Sequence, residues 1–200
     1  MKKLTSVLLC LFLAGNLFAI VTKATSSAPV KKTSQTDKKA TTSVTFDGKK
    51  FFLQYSVGNE QQWLNEFLPA GVTFDNYDYM FTIRSYDGIK ATPKQIGSNM
   101  LAAYQQRFPA NKYQFFPGVG EDAGVSFIEM NDKVLEFNLF RITTVDGHPL
   151  ALQFVYREYM GTDYKAAMDK LSKTVRANLD KWKTEILTMP VPAINRTVKN

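Results

Sequence analysis

Few residues in this chain are equipped for chemistry. The single histidine, His148, sits in Asp146-Gly147-His148-Pro149, a tight-turn sequence that exposes an imidazole instead of partnering it. The single cysteine, Cys10, falls in the apolar N-terminal run. One histidine and one thiol cannot supply the nitrogen and sulfur ligands of a tetrahedral zinc site. No metal, no cofactor and no catalytic residue is expected from them.

Carboxylates are the remaining titratable candidates. Asp75 and Asp78 are close in sequence, as are Glu121 and Asp122. Acid/base work needs one carboxyl with a raised pKa facing another across a cleft, which spacing alone does not supply. Asp75-Asn76 reads as turn chemistry before a strand. The run Gly118-Val119-Gly120-Glu121-Asp122-Ala123-Gly124 has no Lys-Ser/Thr pair and opens no helix, so it is not a phosphate loop. It also lacks the ordered carboxylates of a calcium loop and reads as a hairpin connection.

Aromatic side chains offer a third chemistry. Phe51, Phe52, Tyr55, Trp63, Tyr77, Tyr79, Tyr156 and Tyr159 cannot all be central core. Trp63, Tyr77, Tyr79 and Tyr156, with Arg84, are candidates to line a ligand groove. The competing reading is ordinary sheet packing.

The elements that must position these residues follow from periodicity. Val44–Phe46 and Lys49–Val57 flank Asp47-Gly48 and predict a hairpin. Gln62–Leu68 is ambiguous: Trp63, Leu64, Phe67 and Leu68 fit helical spacing, while the family resemblance given below favours extended chain. Tyr79–Tyr86 alternates as a strand. Thr92, Pro93 and Gln95 form a helix start with a capping box. Ile96, Met100, Leu101, Tyr104 and Phe108 then share one stripe. Strands are predicted over Lys112–Phe116, Val125–Met130, Val134–Thr144 and Leu150–Tyr159, the last two joined across Asp146-Gly147. A helix from Thr162 to Leu187 carries Tyr164, Met168, Leu171, Val175, Leu179, Trp182 and Ile186 on one face. The order β-β-β-α-β-β-β-β-α leaves out the ambiguous segment and predicts an α+β fold, a mostly antiparallel sheet flanked by helices.

The flanks set the setting. Lys2 and Lys3, the apolar run Val7–Gly15, and Leu17-Phe18-Ala19 have the three-part layout of a secretory signal. Cleavage is expected at Ala19, with Ala24 as a second site, so the domain is expected to be exported and periplasmic or secreted. Retention of the apolar stretch as an anchor is the other outcome, although it is shorter than the ~20 residues of a spanning helix. Residues 20–43, rich in Ser, Thr and Lys, read as a flexible linker. Residues 44–190 then form a single domain and 191–200 a C-terminal tail.

The net charge of +7 is carried by the flanks. Taking away +2 for residues 1–19, +4 for 20–43 and +2 after Pro190 leaves −1 for 44–190. A nearly neutral domain is not built for nucleic acid. Contact with anionic membrane is left to the basic linker.

Glu66-Phe67-Leu68-Pro69-Ala70-Gly71-Val72-Thr73-Phe74-Asp75-Asn76-Tyr77-Asp78-Tyr79-Met80-Phe81-Thr82-Ile83 resembles a pattern in small secreted bacterial proteins of unknown function. There, a strand ending in Leu-Pro-x-Gly precedes Asn-aromatic-x-x-Met and a further strand. The stretch is similar to the PsbP/Mog-like α/β/α sandwich, with Tyr77 where Trp is commoner. That resemblance implies an accessory or binding role and carries over no catalytic residue. The expected function is an envelope accessory or protein-interaction module without catalytic activity, its partner an envelope protein. A binder of a small peptide, glycan or lipid through the aromatic groove is the alternative, and a carboxylate-dependent hydrolase the third reading.

Overall fold

Asp-Gly pairs make the two tightest corners of the sheet. Asp47 and Gly48 have φ of 51° and 68°, and Asp146 and Gly147 have φ of 52° and 80°. Two successive left-handed residues make the turn whose twist matches a two-residue hairpin. The first joins Ser43–Phe46 (β1) to Lys49–Gly58 (β2), the second Val134–Val145 (β7) to His148–Tyr159 (β8). The computed structural model describes residues 41–109 and 111–199. The signal with Ala19 and Ala24, and most of the 20–43 linker, lie outside the described residues.

Between these hairpins run Trp63–Pro69 (β3), Tyr79–Ser85 (β4), Pro93–Arg107 (α1), Tyr113–Pro117 (β5) and Ala123–Met130 (β6); Tyr164–Thr188 (α2) follows β8. The eight strands form one sheet in the order β1-β2-β3-β4-β8-β7-β6-β5. Every neighbouring pair is antiparallel. The fold is therefore α+β, with four strands before α1 and not three. The added strand is β3, which resolves the ambiguous segment as extended chain. Its Trp63, Leu64, Phe67 and Leu68 imitate a helical stripe, yet Leu64 to Leu68 are all buried because β3 lies between β2 and β4 with both faces covered. A strand buried on two faces loses the alternation by which strands are recognised.

The helices cover opposite faces. On one face, Leu171, Val175, Trp182 and Ile186 of α2 pack on Phe81, Ile83, Leu139, Leu152 and Phe154. Trp182 lies 4.9 Å from Phe154, ring centre to ring centre. On the other face, Ile96, Met100, Leu101 and Tyr104 of α1 cover Val125, Phe127, Phe140 and Ile142. A side chain at Gly97 would come within 2.9 Å of Phe115, so the glycine lets α1 approach the sheet. The start of α1 matches its sequence: Gln95 N–H donates to the Thr92 hydroxyl and the Gln95 side chain accepts from Thr92 N–H.

Residues after α2 do not trail away. Val191 and Ile194 pack against the α2-side core, and Lys199 forms an antiparallel bridge with Ser56. Among the described residues no helix is long and apolar enough to cross a membrane.

Candidate functional site

The α1 side of the sheet carries two separate apolar clusters. One lies beneath α1; the other joins Leu68, Tyr77, Met80 and Val155 with Val72 and Phe74 of the 70–78 loop. Polar side chains fill the gap. Strand register sets Glu66 opposite Thr82 and Thr82 opposite Gln153. Thr82 donates to Gln153 at 3.0 Å, and Gln153 donates to Asn138 at 2.7 Å. One step along β7, a second row reads Arg157, Glu136, Glu129 across three strands.

That second row is the candidate site. Glu136 is ion-paired with Arg157, whose Nε donates to its Oε1 at 2.7 Å. Tyr77 donates its hydroxyl to the same oxygen at 2.9 Å. The Arg157 guanidinium lies 3.6 Å from the centre of the Tyr77 ring and donates to the Tyr77 hydroxyl. Burial is the largest single influence on the guanidinium pKa and draws it down, but Glu136, Tyr77 and Tyr159 together outweigh it and the net shift is upward. Arg157 and Tyr77 thus both meet one Glu136 oxygen, Oε1.

Glu129 differs. It is buried, with 7% of its surface exposed. Burial pushes its pKa up to about 7; the Glu136 charge adds to the rise and Arg107 opposes it. Glu129, Glu136, Arg107, Phe108, Met130, Asn131 and Val134 line a cleft of about 70 Å³. Drug-sized sites run to roughly 300 Å³ or more, so this cleft fits a head group. Two carboxyls in adjacent register, one paired with Arg157 and the other with its pKa raised to about 7, can hold an ammonium group or pass a proton.

Glu66 is the other buried acid. Its Oε2 has no hydrogen-bond partner among the described residues. Burial pushes its pKa up to about 7, against the pull of Arg84. It lies at the far end of the polar rows from Glu129.

The structure separates the residues singled out from sequence. Tyr79 and Tyr156 stack at 5.2 Å on the α2 side, and register places Trp63 on that same side. Tyr156 is buried and donates its hydroxyl to Glu158. Tyr77 and Arg84 belong to the opposite side. The five therefore do not line one groove. Asp75 and Asp78 are exposed, and the Asn76 side chain closes the turn at Thr73 N–H with 2.8 Å. Asp122 is ion-paired to Arg141 at 2.7 Å, and Arg141 also donates to the Met189 carbonyl at 2.8 Å. That aspartate fastens the end of α2. Glu121 and His148 are exposed. Sequence reasoning missed Glu129, Glu136 and Arg157. Their one local signal is parity: Glu129 continues Ala123, Val125 and Phe127 on an inward-facing series.

An α+β sheet domain with a small acidic cleft on one face is the class these features define. The chain belongs to a protein family whose model matches residues 39–189, a family with no known activity. Among the described residues the match takes in every strand and both helices. No curated protein matches the chain.

Proposed function

We propose that this protein is an exported, non-enzymatic binding module for a small ligand bearing an ammonium group, held at the Glu129–Glu136 pair. One observation carries the reading: Glu129 is a buried carboxyl on the lining of a cleft, beside a Glu136 ion-paired with Arg157. A carboxylate on the ligand finds Arg107 on the same lining, which favours an amino-acid-like zwitterion. The leader-like residues 1–19 support action outside the cytoplasm, and helices on opposite faces support the PsbP/Mog-like reading of the fold. The absence of a second histidine or a thiol in the domain favours binding over catalysis.

An ammonium group entering the cleft favours the ionised carboxylate, so binding releases protons. Calorimetry with glycine, and with cadaverine as a diamine lacking a carboxylate, reads this in buffers of different ionisation heat. About half a proton is released per ligand at pH 7, and Glu129→Gln weakens binding about tenfold. Tighter binding of glycine than cadaverine assigns Arg107 its role. If wild type binds neither probe more tightly than Glu129→Gln, the reading fails.

A further inference from the structure

On the α2 side, away from the acidic cleft, the chain grips its own end in a particular way. Asn65, fully buried on β3, uses its side-chain amide twice on one residue. Its Oδ1 accepts from the Asn195 N–H at 2.6 Å, and its Nδ2 donates to the Asn195 carbonyl at 2.8 Å. The Ser56 hydroxyl donates to the same carbonyl at 3.2 Å, and to it Asn65 Nδ2 also donates, at 2.9 Å. Beyond the end of the β1 ladder, β2 offers its free edge: Ser56 N–H to Lys199 O and Lys199 N–H to Ser56 O, both 2.8 Å. Nearby, Arg196 makes a two-point ion pair with Asp87, one contact at 2.9 Å.

These contacts read backbone. A side-chain amide that accepts from N–H and donates to C=O of one residue does what a neighbouring strand does, whatever side chain that residue bears. Selectivity comes from either side, through the partly buried Ile194 before it and Arg196 after it. The gripped segment is joined to α2 through Pro190-Val191-Pro192, makes no helix, and lies beyond the residues matched by the family. The gripping residues Ser56, Asn65 and Asp87 all lie within them. The receptor thus belongs to the shared domain, and its occupant does not.

We infer that Ser56, Asn65 and Asp87 form a binding site for an extended peptide with an apolar residue two places before an arginine, and that residues 191–199 occupy it as an exchangeable plug. A segment with no helix of its own, held mainly by polar contacts and with only two partly buried apolar side chains packed on the core, is drawn from the low-stability end of a fold. An incoming peptide competes with it, so apparent affinity scales with the fraction of open sites.

The test uses the whole purified chain and a fluorescent peptide of residues 190–199, followed by anisotropy. Wild type binds the peptide weakly. Arg196→Ala in the chain loosens the plug but leaves the receptor intact, and the unaltered peptide then binds about fivefold more tightly. Asn65→Leu, checked for folding by circular dichroism, abolishes binding. Should Asn65→Leu fail to fold, the charge swap stands in its place: Asp87→Arg binds a peptide carrying Arg196→Glu in preference to the original. Equal or absent binding by wild type and Arg196→Ala, or no preference in the charge swap, overturns the inference.

Discussion

The two faces of the sheet are built on opposite principles. Under α2, inward positions are filled by Phe81, Ile83, Leu139, Leu152, Phe154 and Trp182 in one continuous cluster. Under α1 and the 70–78 loop, two smaller clusters are split by Glu66, Thr82, Gln153, Asn138, Glu136 and Glu129. Buried acids with raised pKa values cost stability at neutral pH. One face therefore holds the fold together, and the stability it provides allows the other to keep polar groups in places a structural protein would fill with apolar ones.

The largest expected effect tests the first half of that contrast. Trp182→Ala removes a side chain that is 1% exposed and costs about 3–5 kcal/mol in urea unfolding. A loss below about 1 kcal/mol would break the comparison, since α2 would then not be the main source of stability.

Next comes pH. Glu66 and Glu129 both have folded pKa values of about 7 against an ordinary 4.5. The folded chain binds protons that the unfolded chain has released, so the stability they lend is whole below about pH 4.5 and is lost as pH rises through 7. Each carboxyl accounts for about 3 kcal/mol over that window. Glu66→Gln removes one of the two contributions and flattens the unfolding profile between pH 5 and 8. A profile identical to wild type would show that Glu66 titrates normally, and would sharpen the comparison to the Glu129 row alone.

The smallest effect concerns how α1 is seated. Thr92→Ala deletes the hydroxyl that accepts from Gln95 N–H at 3.2 Å and costs about 1 kcal/mol. Thermal melting reads the loss. A cost near that of Trp182→Ala would mean that the two faces carry similar loads.

Local signals in the sequence were sufficient for much of the fold. The left-handed Asp-Gly turns, the Thr92 capping box and the α2 stripe through Leu171, Val175, Trp182 and Ile186 are each written within a few residues. β3 was obscured because burial on both faces erases alternation. The site was obscured for a different reason. Glu129 meets Glu136 only through the β6–β7 register, and Arg157 and Tyr77 reach Glu136 from residues 21 and 59 positions away. The aromatics, conspicuous in the sequence, proved to be split between faces. Tyr77 meets the acidic row as a clamp on Arg157 and not as a groove wall, and the Tyr159 ring lies 5.9 Å from the same guanidinium.

The Thr41 N–H donates to the Ala193 carbonyl at 3.3 Å, so the approach to β1 and the segment after α2 meet at one corner of the domain. Tension arriving through the residues before Thr41 meets the four-residue edge strand β1 and the departing segment together. Glu129 and Glu136 sit on strands in the opposite half of the sheet, off the path between those two ends. A pull applied at Thr41 would load that corner first, in the half of the sheet away from the strands of the acidic cleft.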